Sequence, residues 1–180
     1  MIDSVIPDTA VVKRAARIGA EIRNIKLSGD LPDQTIAAIE GLLLDHKVIF
    51  FRDQGHLDDA EHQRFARRFG KPMLSPTVDP AKGTKSVIEI DYARGGFRTD
   101  VWHIDLAYMD AYPKIMVLRG AVIPPVGGDT LWSNTAAAYL DLPAPLQRLA
   151  DNLWAVHSNA YDFAAFARST EAEKKVYDEG

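Results

Sequence analysis

Five histidines and no cysteine confine any metal chemistry in this 180-residue chain to imidazole and carboxylate ligands. His46, His56, His62, His103 and His157 are too scattered for an all-histidine cluster to be read from spacing. Two of them carry an aspartate two residues on, in His56-Leu57-Asp58 and His103-Ile104-Asp105. On extended backbone, side chains two apart share a face, so a His-x-Asp pair can present a nitrogen and an oxygen to one ion. Those are two legs of a 2-His-1-carboxylate triad, which leaves positions on Fe(II) open for a bidentate co-substrate and for dioxygen. The first pair has a competing explanation. Asp58 stands three residues before Glu61 at the head of an amphipathic stretch, the pattern of a helix cap, with His56 in the loop before it. His103 and Asp105 have no capping duty, and Trp102 and Tyr108 flank them as candidate walls of a small-molecule pocket. A zinc hydrolase with an activated water is the rival use of the same two ligands. The sequence holds no phosphate-cradling glycine loop, no Gly-x-Ser-x-Gly elbow and no His-Glu-x-x-His helix.

The elements that must hold these residues follow from periodicity and from breakers. Ile22, Ile25 and Leu27 among polar neighbours predict a short half-buried strand over Glu21 to Leu27, ended by Gly29. Ile36, Ile39, Leu42 and Leu43 predict an amphipathic helix from Pro32 to about His46, with Asp30 and Pro32 as start signals. Val48-Ile49-Phe50-Phe51 reads as a buried central strand. The helix after Asp58 puts Phe65 and Phe69 on one face and stops at Gly70 and Pro72. Further strands are predicted at Val87 to Ile90, at Ile115 to Val122 and at Trp154 to Val156. Pro124 to Asp129 is a turn that makes a hairpin with Thr130-Leu131-Trp132. Helices are expected from Asn134 or Thr135 through Tyr139, and from Pro145 through Asn152 with Leu146 and Leu149 inward. Strands and helices interleave without a linker or repeat, which suits one α+β unit with an antiparallel or mixed sheet.

Composition narrows the function classes. At 47% hydrophobic and 26% charged, with a net charge of -4, the chain has the make-up of an ordinary globular protein able to bury a core. Its acidic balance argues against nucleic acid as a partner, and Arg64, Arg67 and Arg68 read as a solvated helix face. No apolar run reaches the ~20 residues of a membrane span, and Met1-Ile2-Asp3-Ser4 lacks the features of a signal peptide. A cytoplasmic location is expected.

Trp102-His103-Ile104-Asp105, read together with Gly127-Gly128-Asp129-Thr130-Leu131-Trp132, resembles the taurine dioxygenase and 2,4-dichlorophenoxyacetate dioxygenase family. Matching stretches run from Ile18-Gly19-Ala20 through Lys47-Val48-Ile49-Phe50-Phe51-Arg52 and Phe69-Gly70 to Tyr161-Asp162-Phe163. Residues 134–139 and 152–159 look most like the alkyl sulfate ester dioxygenases. The resemblance implies a distorted jelly-roll, or double-stranded β-helix, core with flanking helices, incomplete at the C-terminus. Residues 1–180 are then the N-terminal portion of a single dioxygenase domain.

By the same resemblance His103 and Asp105 are ligands of Fe(II), and 2-oxoglutarate and dioxygen are co-substrates. The Thr130 hydroxyl binds a carboxylate of 2-oxoglutarate. The family's remaining histidine ligand and its 2-oxoglutarate-binding arginine are expected beyond residue 180, and His157 is not their substitute. Ser75, Val78, Leu106 and Phe163 fall at substrate-binding positions. Ser75 stands where sulfonate-using members carry a histidine, and Val78 replaces an aromatic of taurine-specific members. The expected substrate is therefore a small organic acid such as an alkyl sulfate ester or a sulfonate other than taurine. Members commonly form homo-oligomers, which is the expectation here, with no nucleic-acid or membrane partner. The alternative is a non-catalytic truncated member or binding protein that lacks the distal histidine and arginine.

Overall fold

The computed structural model describes residues 5–74, 79–91 and 101–158. Two compact units are present, Met1–Gly70 with Leu118–Leu153 and Lys71–Val117 with Trp154–Gly180. The first holds strands β1 (Val11–Lys13), β2 (Ala20–Ile22) and β3 (Ile49–Phe50) and helices α1 (Asp33–His46), α2 (Asp59–Ala66), α3 (Thr135–Leu140) and α4 (Ala144–Ala150). None of the described helices is long and apolar enough to cross a membrane.

The sheet is small and mixed. β2 pairs antiparallel with β1, Val11 opposite Ile22, and parallel with β3, Ala20 opposite Ile49. Parallel strands cannot be joined by a tight turn, and α1 supplies the crossover between β2 and β3. The expected central strand at Val48 to Phe51 is instead the outer member of this sheet, and its two strand residues are half-buried. β2 takes the centre because the short Val11-Val12-Lys13 strand, too brief to show a period, flanks it on the other side.

The strand expected over Glu21 to Leu27 ends at Ile22. Asn24 has φ 63, a left-handed conformation that breaks an extended run. Beyond it the Gln54 side chain does the work of a strand neighbour. Its Oε1 accepts from Leu27 N–H (2.8 Å), and its Nε2 donates to the Ile25 carbonyl (2.9 Å). β2 is also buried at all three positions, Glu21 included, rather than half-buried.

α1 forms over the expected stretch, and Ile36 and Ile39 face the core with Ile6, Ala10, Ala20, Ile22, Leu27, Leu57 and Phe65. Its N-cap is Pro32, with Asp33 in the positive first turn, and Asp30 gives its carboxylate to Arg64 instead. Phe65 and Phe69 meet edge to face, ring centroids 5.2 Å apart.

α2 begins as its sequence requires, with the Asp58 carboxylate accepting from Glu61 N–H at 2.7 Å. The reciprocal half of a capping box is missing. Glu61 turns outward, where Oε1 accepts from Ser28 Oγ (2.8 Å) and Gly29 N–H (2.7 Å) and Oε2 accepts from Arg64 (2.6 Å). Gly29 permits this approach because a Cβ there would lie 2.7 Å from the Cβ of Arg64. Arg68 donates to the Gly29 and Leu31 carbonyls and to Asp33. Arg64 on α2 and Arg68 in the 3-10 turn that follows it, Arg67–Phe69, therefore fasten this segment to residues 28–33, which corrects their reading as a solvated face.

These bonds make a prediction about acid. The Gly29 N–H, then Ser28 and Arg64, hold the Glu61 carboxyl below its ordinary 4.5. A depressed folded value stabilises the folded state above the unfolded value, and that contribution is lost as pH falls through the lower folded one. Glu61→Gln should lower the urea midpoint at pH well above 4.5, and the gap to wild type should close as pH falls below it. A gap independent of pH would refute the linkage.

Several expected strands do not form. Val87 to Ile90, Ile115 to Val122, Thr130 to Trp132 and Trp154 to Val156 belong to no β-ladder among the described residues. A strand exists only where a neighbouring backbone supplies its ladder, whatever its own pattern. Several of their apolar side chains lie open, Val122 at 91% exposed, Trp154 at 97% and Val156 at 93%, while Val87, Ile115 and Val117 are half-buried. α3 and α4 form as expected, α3 capped by Asn134 accepting from Ala137 N–H at 3.0 Å. Leu146 and Leu149 on α4, expected to face inward, are about half exposed.

Candidate metal centre

His103 and Asp105 belong to the second unit, where residues 102–104 carry no regular structure and residues 105–108 form a turn. The expected strand is absent, yet the pair converges. His103 Nε2 lies 3.1 Å from Asp105 Oδ1, and both side chains are roughly half exposed. The other ring nitrogen, Nδ1, lies 2.8 Å from the Val101 carbonyl oxygen. A carbonyl only accepts, so this contact assigns the donor role to Nδ1, and in the neutral ring Nε2 would then turn its lone pair toward Asp105.

Two lone pairs 3.1 Å apart repel unless a cation lies between them, either a proton or a metal ion. The separation suits a metal. Two ligands about 2.1 Å from one ion at a right angle stand about 3.0 Å apart. The Val101 carbonyl is the outer partner that metal-binding histidines use to hold tautomer and ring orientation. No side-chain pattern could have announced it, because a backbone acceptor has no residue type. Among the described residues no third His, Asp or Glu joins the pair.

The rival His56-Leu57-Asp58 dissolves into structure. Asp58 caps α2, and His56 Nε2 lies 2.9 Å from the Leu27 carbonyl oxygen. Both groups are occupied and they do not face one another as ligands.

The other expected site residues fall in both units or outside the described residues. Leu106 directly follows Asp105, half-buried, with φ 53. Trp102 is 68% exposed and Tyr108 is half-buried. Thr130 belongs to the first unit, exposed in a loop that follows Gly127 (φ 80) and Gly128 (φ 74). Those two left-handed residues follow a bend at 125–126, and both conformations are ones that glycine adopts without strain. Ser75, Val78 and Phe163 lie outside the described residues. A cleft of about 520 Å³ lies in the first unit around Lys13, Arg17, Asp45 and His46, and none of the expected site residues lines it.

The chain belongs to the taurine catabolism dioxygenase TauD, TfdA family, which it matches over residues 10–179. It is 51% identical, over 160 residues, to an alpha-ketoglutarate-dependent sulfate ester dioxygenase of Pseudomonas putida, covering 89% of this chain and 53% of that protein. An alkylsulfatase of Acinetobacter baylyi is 49% identical over 170 residues, covering 92% of this chain and 53% of its own length. The chain thus spans about half the length of the curated relatives it matches. Among solved structures, a taurine dioxygenase from Burkholderia xenovorans superposes with a TM-score of 0.65 at 35% identity, over 79% of this chain and 50% of that one.

Proposed function

We propose that this chain is the N-terminal portion of a jelly-roll dioxygenase that couples hydroxylation of an alkyl sulfate ester or related small organic acid to decarboxylation of 2-oxoglutarate. The observation that carries the reading is the His103 Nε2 to Asp105 Oδ1 approach of 3.1 Å with Nδ1 held by the Val101 carbonyl. Family membership and the names of the half-identical relatives support it. The exposed apolar side chains of 116–156 and the half-length span support the placement within a larger domain.

In this reading His103 and Asp105 hold Fe(II), which when bound supplies the redox chemistry that reduces dioxygen. Asp105 would contribute one negative charge and His103 a neutral nitrogen to that ion. In this reading the Thr130 hydroxyl would donate to a carboxylate of 2-oxoglutarate. Ser75, Val78, Leu106 and Phe163 are the residues that this reading assigns to the substrate, on the family resemblance. Ser75 is a neutral group in a position where a histidine would favour a sulfonate. One oxygen atom enters the substrate C–H bond as hydroxyl and the other enters succinate, with release of carbon dioxide. Hydroxylation of the carbon that bears a sulfate ester leaves a geminal hydroxy-sulfate, which collapses to a carbonyl compound and free sulfate. The reading extends to a cytoplasmic homo-oligomer acting on a small molecule, with no nucleic-acid or membrane partner.

The test is succinate formation from 2-oxoglutarate with Fe(II) and oxygen over a panel of alkyl sulfates, sulfonates and carboxylates. It is measured for this chain and for the full product of its gene. Succinate and free sulfate should appear together and in equal amounts with a medium-chain alkyl sulfate. Metal-bound protein that forms no succinate with any substrate would instead favour the non-catalytic alternative, which the lack of a third described ligand also fits.

A further inference from the structure

We propose that Arg14, Arg23 and Arg52 form a binding site for a small doubly charged oxyanion of the sulfate or phosphate type. The inference stands whether or not His103 and Asp105 hold a metal ion.

The sheet brings the three arginines together. Glu21 lies on the middle strand, opposite Val12 on β1 and Phe50 on β3, and Arg23, Arg14 and Arg52 stand two residues beyond these three positions. Side chains two apart on extended backbone share a face, and each of the three guanidiniums forms an ion pair with the one carboxylate. Charge does not balance there. Three guanidiniums face one carboxylate, so two positive charges are left over, and no second acidic side chain pairs with these arginines among the described residues.

Hydrogen bonding is left over as well. Arg23 and Arg52 each give Glu21 only Nε, at 2.9 and 3.4 Å, so the Nη groups of both forks bond nothing among the described residues. All three side chains are about half exposed or more, which lets a solute reach them. A guanidinium fork matches an oxyanion two donors at a time, and a dianion would satisfy the surplus charge and the spare donors together.

The forks are braced before any ligand arrives. Glu21 is buried and accepts from both Nε atoms, and the guanidinium carbons of Arg14 and Arg52 lie 5.9 and 5.5 Å from the Phe50 ring centroid. Rotamer freedom already given up is not lost again on binding.

The probe is sodium sulfate, doubly charged throughout the neutral range, compared with sodium chloride at equal ionic strength. Binding is read from the arginine Nε–Hε resonances of the isotopically labelled chain. The Arg23 and Arg52 signals should shift and saturate with sulfate in the millimolar range, and chloride should not move them. Arg23→Lys and Arg52→Lys keep the charge, and with it a partner for Glu21, but lose the fork. Each should weaken sulfate about tenfold, read on the arginines that remain. Lys26→Gln removes an exposed positive charge outside the cluster and should bind within about twofold of wild type. Inorganic phosphate and phenyl phosphate, titrated alongside, show whether the site takes the free ion or a group carried by a larger molecule, and saturable binding of either supports it. Shifts that grow without saturating, or that chloride reproduces, would overturn the site. Lysine variants that bind like wild type would do the same, since charge alone and not the forks would then hold the anion. Should a lysine variant fail to fold, the comparison of sulfate with chloride on the wild-type chain still decides.

Discussion

Replacing His103 by alanine is expected to lower Fe(II)-dependent succinate formation by more than about a hundredfold, because changes one shell further out already cost metal sites 10- to 100-fold. The size follows from how few protein ligands the described site has. If the pair holds the ion as proposed, losing Nε2 would leave Asp105 Oδ1 as the single described protein ligand, and the Val101 carbonyl would lose the ring it contacts. The matched control is His56→Ala, which changes the same residue type in the same His-x-Asp pattern. His56 gives its Nε2 to the Leu27 carbonyl and its neighbour Asp58 caps a helix, so turnover should stay within about twofold of wild type. Succinate measured across iron concentrations separates weaker binding from slower chemistry. Metal-dependent turnover that survives in His103→Ala would sink the assignment, as would an equal loss in His56→Ala.

That contrast also shows what the amino-acid order could and could not reveal. Capping is local, so Asp58 with Glu61 three residues on identifies the start of α2 and gives the His56 pair a structural explanation. Periodicity over fourteen residues was equally legible, and α1 forms where Ile36 and Ile39 require it. Strands depend on partners elsewhere in the chain. Val48 to Phe51 looked central because it is continuously apolar, yet the neighbour that makes β2 central is the three-residue β1, whose pattern is too short to read. Val122, Trp154 and Val156 have strand composition without a described ladder, since composition cannot supply the hydrogen bonds of a second backbone. At the site, His103 and Asp105 were legible as residue types at a fixed spacing. The Val101 carbonyl was not, because it acts through an atom that every residue shares.

The buried carboxylate of Glu21 carries the largest expected effect on stability. Read as one polar position of a half-buried strand, it is 5% exposed at the centre of the sheet. Glu21 sits opposite Val12 on β1 and Phe50 on β3, and two residues beyond each of the three stands an arginine: Arg23, Arg14 and Arg52. Period two brings all three to the carboxylate. Arg23 Nε donates at 2.9 Å and Arg52 Nε at 3.4 Å, Arg14 forms a further ion pair, and the guanidinium carbons of Arg14 and Arg52 lie 5.9 and 5.5 Å from the Phe50 ring centroid. Breaking a buried ion pair typically costs 3–5 kcal/mol, because the remaining charge has no partner. Here the three arginine side chains are 43%, 52% and 67% exposed, so they can relax into water, and the expected cost of Glu21→Ala is lower, about 2–3 kcal/mol. Each single arginine replacement should cost about 1 kcal/mol or less, since the carboxylate keeps two partners. The asymmetry is the diagnostic, because a cluster held by one central anion fails when the anion goes and tolerates the loss of any one cation. Urea denaturation of Glu21→Ala beside Arg14→Ala, Arg23→Ala and Arg52→Ala measures it directly. Added salt should narrow the Glu21→Ala deficit by screening the three guanidiniums from each other. A Glu21→Ala cost no larger than that of Arg23→Ala would mean that the carboxylate is not what holds the three strands' arginines together.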